Sequence, residues 1–339
     1  MSCPKLLKLP VFWTPSTEIP RSAPHFFWEK LPEIIWYQDE PVADPSAAAL
    51  YFAAGLAAKD VKVVLSGEGA DEVFGGYSIY REPLSLMPFT QLPFLLKEPI
   101  KRLGKKLPKG FKGKSYIYRA TTPLEKRYFG NAFIFNEEEK DILIPGLRKP
   151  GNRVEAVRVT EPIFQKASHL DTVSRMQYLD FYTWLPGDIL AKADRMTMAH
   201  SLELRVPFLD HILVEFAATL PTRFKIGGKT TKYAFRKAAE SWLPSEVASR
   251  PKLGFPVPVA DWMKQDWKDK LSNTFQSAAA RNYFNTSFLA SLLEEHLMGT
   301  RNNARKLWTV AVFLFWHKIF IEGEKEILNR VSREAMIKY

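Results

Sequence analysis

VKVVLSGEGADEVFGGY (residues 61–77) decides the fold. Residues 61–65 read as a near-continuous apolar strand, the composition that a parallel sheet buried on both faces requires. The strand runs without pause into a glycine turn, residues 66–76, that carries Glu68, Asp71 and Glu72. In open α/β sheets ligands gather at the carboxyl ends of the strands, so the turn sits at a candidate site. Gly67 and Gly69 let the backbone turn tightly beside a ligand, and Gly75 and Gly76 allow close packing on the far side. Three carboxylates would repel a bare polyphosphate. A bridging Mg²⁺ removes the conflict, because hard carboxylate oxygens hold the metal and the metal holds the phosphates. On spacing alone an ordinary acidic surface loop is an equal reading, since short glycine-acid turns are common.

Composition narrows the alternatives. At 339 residues the chain holds one large domain or two smaller ones, and 46% hydrophobic residues with nine Trp supply an ample core. The single cysteine, Cys3, excludes an internal disulfide framework and fits a reducing, cytoplasmic setting. No CxxC or HExxH spacing marks a Cys or His metal site. The start, MSCPKLLKLPVFWTP, is broken by proline and lacks a small-residue cleavage site, unlike a signal peptide. The apolar run 307–316 is too short to span a bilayer and reads as a core helix, so no membrane partner is expected.

The net charge of +11 is largely local. KEPIKRLGKKLPKGFKGK (residues 97–114) holds eight Lys or Arg against one Glu, and its prolines and glycines are expected to break any continuous amphipathic helix. Without the aromatic pattern of an RNA-recognition sheet or zinc-finger spacing, it reads as a solvated basic insertion rather than a nucleic-acid arm.

PSAAALYFAAGLAA (residues 45–58) is alanine-rich, with Asp44 as its N-cap, and makes a helix ahead of the strand. Residues 84–152, rich in Pro, Lys and Gly, read as an irregular basic surface insertion inside a single domain spanning 1–339. Beyond Pro162 the pattern is helical: TVSRMQYLDFYTWL, GDILAKADRMTMAHSLE, DHILVEFAATL and TKYAFRKAAESWL. Asp188, Lys192 and Arg195 share one helix face, which by itself reads as a solvated ion-pair ladder. IGGKTT (residues 226–231) ends like a phosphate loop, but Arg223 occupies the position that needs glycine, so it reads as a tight turn.

SGEGADEVFGGY resembles the signature of the asparagine synthetase family, and other stretches agree in the family's order. They are DEPVADPSA (39–47), LAKADRMTMAHSLELRVPFLDH (190–211), SRPKLGFPVPVADW (249–262) and KLWTVAVFLFWHKIF (306–320). The resemblance covers nearly the whole chain except the basic insertion. It implies an α/β fold with an adenine-nucleotide α-hydrolase-like (ATP pyrophosphatase) parallel sheet and a mostly helical C-terminal half. It also implies a chemistry: Mg-ATP adenylates the side-chain carboxylate of aspartate, releasing pyrophosphate, and ammonia, drawn from glutamine in the complete enzyme, attacks the acyl adenylate. By motif match Asp71 is the metal carboxylate, Glu68 lies beside the aspartate and the ammonia, and Glu72 supports the turn near the nucleotide. Ser66, Gly67 and Gly69 fall in the nucleotide loop, and Asp188, with Lys192 on its face, matches a carboxylate near the substrate's amino group. Lys252, in the proline-fixed loop RPKLGFPVP, matches a lysine that neutralises charge on the departing pyrophosphate. Lys232 and Arg236 match positioning residues.

The departures are as informative. The family's SGGxDS pyrophosphate loop and its glutaminase domain do not occur in the sequence, and Cys3, behind Ser2, cannot be carried over as the glutaminase nucleophile. The resemblance therefore implies a sheet truncated at its first strands, completed by an N-terminal glutaminase and pyrophosphate-loop polypeptide. The bare sheet edge invites pairing, so homo-oligomers are a candidate state. The alternatives are a non-catalytic remnant or scaffold, and a related amidotransferase acting on another acyl substrate. Glu68 favours an ammonia-using synthetase over a β-lactam former.

Overall fold

The computed structural model describes residues 23–107, 111, 113–131, 133–147, 154–228, 230–248, 250, 254 and 257–324. α1 (Ala23–Gln38) leads into α2 (Ser46–Ala57), whose first turn is held where the Asp44 carboxylate accepts from the Ser46 amide at 2.9 Å. β1 (Val63–Leu65) follows, and α3 (Ala70–Phe74) continues out of the glycine turn. The expected order of helix, strand and acidic turn is the order found.

β1 departs from expectation in its surroundings. It pairs in parallel with β2 (Glu203–Arg205), placing Val63 opposite Glu203 and Leu65 opposite Arg205. These two strands are the whole sheet among the described residues. Burial on both faces is not observed, since Val63 is 40% and Leu65 73% exposed. Side chains alternate across a strand, and with β2 the one described neighbour only the Val64 side is partly covered.

The basic region also differs. Glu82–Thr90, Phe94–Lys106, Lys114–Thr121 and Glu137–Leu143 are helical, so residues 84–152 are not irregular throughout. The Phe94–Lys106 helix continues through Pro99 and Gly104. Gly104 explains the continuity: a Cβ there would lie 2.6 Å from Ile117, so the bare backbone lets the Lys114–Thr121 helix pack closely. That packing offsets the backbone bond lost at Pro99.

Beyond residue 162 the expected helices appear as Thr172–Tyr182, Leu185–Leu190 running into Ala191–Met198, His211–Thr219 and Tyr233–Ala239. Asp171 and Asp210 cap two of them by accepting backbone amides of the first turn. The turn expected over 226–231 closes with hydrogen bonds between Gly227 and Thr230.

The main core joins α1 to the C-terminal helices. Trp267, with no exposed surface, donates its indole N–H to the Pro24 carbonyl at 2.9 Å and touches Phe27, Trp262 and Trp308. Ala304–Phe320 buries Leu307, Trp308 and Leu314, as expected of a core helix. No helix among the described residues is long and apolar enough to cross a membrane. Two smaller clusters seat the acidic turn: Val73 and Phe74 pack toward Phe208 and Phe235, and Tyr80 and Tyr128 sit with Phe164 and Met176.

Candidate active site

The turn at the end of β1 is built by its glycines. The ladder extends one step past the strand, with the Ser66 amide donating to the Arg205 carbonyl at 2.9 Å. Gly69 then turns the chain at φ +85°, and a Cβ there would meet Leu209 at 2.3 Å. Gly76 has no room for a Cβ because the Asp71 carboxylate folds over it, 1.8 Å from where that atom would lie. Gly67 differs, since a Cβ there would meet nothing and the residue lines the cavity.

That cavity, about 1010 Å³, is walled by Ser66, Gly67, Glu68 and Asp71 on one side and by Asp44, Ser46 and Lys192 on another. Tyr77, Arg81, Trp184, Arg236 and Gly254 complete much of the remainder. Asp71 is ion-paired to Lys232, Nζ to Oδ1 at 2.9 Å, and both side chains are about 15% exposed. For a magnesium-bound nucleotide this donor fits, because Mg²⁺ is commonly held by one or two carboxylates together with phosphates and water. No group of three His, Cys, Asp or Glu among the described residues would hold a metal alone.

The second wall is a buried cluster drawn from three segments. Lys192, 5% exposed, donates to Asp44 Oδ2 at 2.5 Å and to Ser46 Oγ at 2.9 Å. One lysine thus serves two carboxyls, because its charge also acts on the neighbouring Asp188. Burial, with the charge of Asp44, raises Asp188 to about 7, so it is partly protonated near neutrality. Burial pushes Asp44 upward too, but Lys192 and Ser46 outweigh it and hold Asp44 below the usual carboxylate range. Asp188 lies behind the wall rather than on it, and its Oδ2 has no partner among the described residues. The face expected to be a solvated ladder is buried at Asp188 and Lys192, while Arg195 reaches Asp39 instead.

Glu72, expected near the nucleotide, points away from the cavity. It is 1% exposed, accepts the Tyr77 hydroxyl at 2.6 Å, and is pushed upward by burial. Behind it Asp180, with no exposed surface, accepts the hydroxyls of Tyr80 at 2.5 Å and Tyr128 at 2.6 Å. Burial raises Asp180 to about 7.

Lys252 lies outside the described residues. Of the described residues near it in the chain, Ala248 and Arg250 accept from Arg236 through their carbonyls, and Gly254 lines the cavity. Sequence reasoning missed Tyr77, Trp184, Arg81 and Asp180 with its two tyrosines, and took Asp44 only as a cap. The available signal for Asp44 was its place in DEPVADPSA, one of the motif stretches.

An acid-walled cavity at the carboxyl end of a parallel strand, roofed by helices, defines a ligand-binding α/β domain working at its strand ends. The chain belongs to the asparagine synthase family, whose profile matches residues 13–318. It is 46% identical over 300 residues to "Asparagine synthetase [glutamine-hydrolyzing] 1" of Bacillus subtilis, covering 88% of this chain and 47% of that protein. It is 48% identical over 297 residues to a "Putative asparagine synthetase [glutamine-hydrolyzing]" of Mycobacterium tuberculosis, covering 87% of this chain and 45% of that one. A more distant relative, "Amidase chry2" of Gibberella zeae, is 26% identical, covering 73% of this chain and 40% of its own length. The chain spans just under half the length of the first two relatives.

Proposed function

We propose that this chain is the synthetase portion of an ATP-dependent amide ligase: a carboxylate is adenylated by Mg-ATP, and ammonia then displaces AMP to give the amide. The observation that carries the reading is the cavity at the end of β1, where Glu68 and Asp71 of SGEGADE face the Asp44–Lys192 pair. Family membership and the names of the relatives support aspartate as the acyl substrate and asparagine as the product, with glutamine as the source of ammonia in a complete enzyme.

The chain's own residues divide the work. Asp71 would hold the magnesium that the nucleotide brings, and Lys232, which pairs with Asp71 in this structure, would shift to the phosphates. The metal supplies charge neutralisation on the phosphate oxygens. Ser66, Gly67 and Gly69 keep the backbone low beside the nucleotide. In the first step a substrate carboxylate oxygen bonds to the α-phosphorus and pyrophosphate leaves, and Lys252, assigned by its motif, would stabilise the charge that leaves. In the second, nitrogen bonds to the acyl carbon, AMP leaves, and Glu68 takes the proton that the nitrogen sheds. Lys192 in the wall, with Asp188 behind it, orients the substrate's polar end. The single domain, the basic segment 84–152 as an appended surface, and an N-terminal glutaminase and pyrophosphate-loop polypeptide as partner belong to the same proposal.

Titration calorimetry of Mg-ATP tests it. The purified chain, alone or with the N-terminal region of a relative, should bind nucleotide in a Mg²⁺-dependent way, and Asp71→Asn should weaken that dependence at least ten-fold. Equal Mg²⁺ dependence in the variant sinks the metal assignment. A scaffold without nucleotide binding in either format sinks the ligase reading.

A further inference from the structure

Among the described residues, two of the cations that line the main cavity are already engaged. Lys192 is paired with Asp44, and Arg236 is spent on backbone carbonyls. Arg81, half-buried in the 3-10 turn Ser78–Arg81, has no hydrogen-bond or ion-pair partner among the described residues. It lines the main cavity together with the acidic turn and also lines a second chamber of about 590 Å³. Ser78, Ile79 and Arg81 belong to both.

The second chamber carries excess positive charge. Its one carboxylate, Glu82, is already neutralised by Arg127, with both side chains more than 90% buried. Arg119 is a further cation on the same carboxylate, Nε to Oε1 at 3.3 Å. Two guanidinium groups, Arg81 and Arg119, therefore line a chamber whose carboxylate is already paired with Arg127. Ser78 and Ser85 add hydroxyls to the wall, and Gly228 leaves it open, since a Cβ there would meet nothing. A volume of 590 Å³ exceeds what one small anion fills and falls in the range of ligand sites.

We propose that this chamber is an oxyanion subsite in which Arg81, backed by Arg119, binds a carboxylate or phosphate group of a molecule seated in the main cavity. The shared chemistry is an oxyanion at a planar guanidinium fork. Its two sources are a second acid group on the acyl substrate, remote from the carboxylate that is activated, and the phosphates on the leaving side of the nucleotide. The inference rests on the ligase reading only in taking the main cavity as the substrate site.

The test is equilibrium binding by calorimetry to the purified full chain and to Arg81→Gln and Arg81→Lys. The probes are L-aspartate, L-glutamate and L-2-aminoadipate, which lengthen by one methylene each, and inorganic pyrophosphate. Arg81→Gln should raise the Kd of one probe class ten- to hundred-fold, the range of a lost charge-assisted hydrogen bond. Arg81→Lys should recover part of the loss, because it keeps the charge and not the fork. A loss confined to the amino diacids assigns the group to the acyl substrate, and one confined to pyrophosphate assigns it to the nucleotide. Arg102→Gln, which removes an exposed arginine lining neither cavity, should change nothing. The proposal is overturned if no probe binds the unaltered chain at millimolar concentration, if Arg81→Gln moves no Kd by more than about two-fold, or if Arg102→Gln has the same effect. Mg-ATP titrated into the same samples separates the two claims: anion binding that depends on Arg81 without any Mg-ATP binding leaves the subsite standing and removes the ligase reading.

Discussion

Two groups of buried carboxylates flank the acidic turn, and they are satisfied in opposite ways. Asp44 and Asp188 share a cation, Lys192, beside the cavity. Glu72 and Asp180, on the far side, are met by the hydroxyls of Tyr77, Tyr80 and Tyr128 and, among the described residues, by no cation. A lysine keeps one carboxyl ionised at the cavity wall. Phenols satisfy lone pairs without supplying charge, so burial prevails and the far-side carboxyls tend to the neutral form. The contrast separates a wall suited to holding a charged ligand from a brace suited to holding the turn still.

The largest effect expected from breaking the contrast is on the cationic side. Lys192→Met leaves Asp44 and Asp188 without their cation and should cost about 3–5 kcal/mol of stability by denaturant unfolding, the usual loss when one partner of a buried pair is removed. Adding Asp44→Asn should restore part of it. A cost below about 1 kcal/mol would show that the pair is hydrated and contributes little.

The next effect belongs to the phenolic side. Asp180→Ala leaves two buried hydroxyls without an acceptor and should cost roughly 2–4 kcal/mol, whereas Asp180→Asn keeps a carbonyl acceptor and should cost less. The pH dependence gives the sign. Asp180 is raised in the folded state to about 7 from an ordinary value near 3.8, so the folded chain binds more protons than the unfolded one over that interval. Its stabilising contribution is therefore full below about pH 4 and lost as pH rises through 7, by up to about 1.4 kcal/mol per pH unit for one proton. The penalty of Asp180→Asn should accordingly shrink between pH 5 and pH 8. An unchanged penalty across that range would mean that Asp180 stays ionised.

The smallest effect is on the exposed continuation of the cationic face. Arg195 and Asp39 are 40% and 62% exposed, so Arg195→Gln should change stability by less than about 1 kcal/mol. A larger loss would extend the buried cluster one turn further than its solvent exposure suggests.

Much of the local layout was legible in the residues because it obeys short-range rules. Alanine spacing marks α2, and Gly69 was expected to turn the chain tightly, as it does at φ +85°. The family likeness, and with it the placing of Glu68 and Asp71 at one cavity, was legible because motif order survives in a linear reading. Pro99 and Gly104 misled, since both break isolated helices and neither breaks one whose neighbour packs against it.

What the sequence determined by itself was the set of elements and the acid-rich turn between strand and helix, because backbone conformation is governed by near neighbours. What only the tertiary structure decided was the pairing of charges: that Lys192 reaches 148 positions back to Asp44, that Glu72 turns away from the cavity, and that Arg81 has no partner among the described residues. Those outcomes depend on which groups are buried together, and burial, by stripping water from a charge, sets both its partner and its protonation.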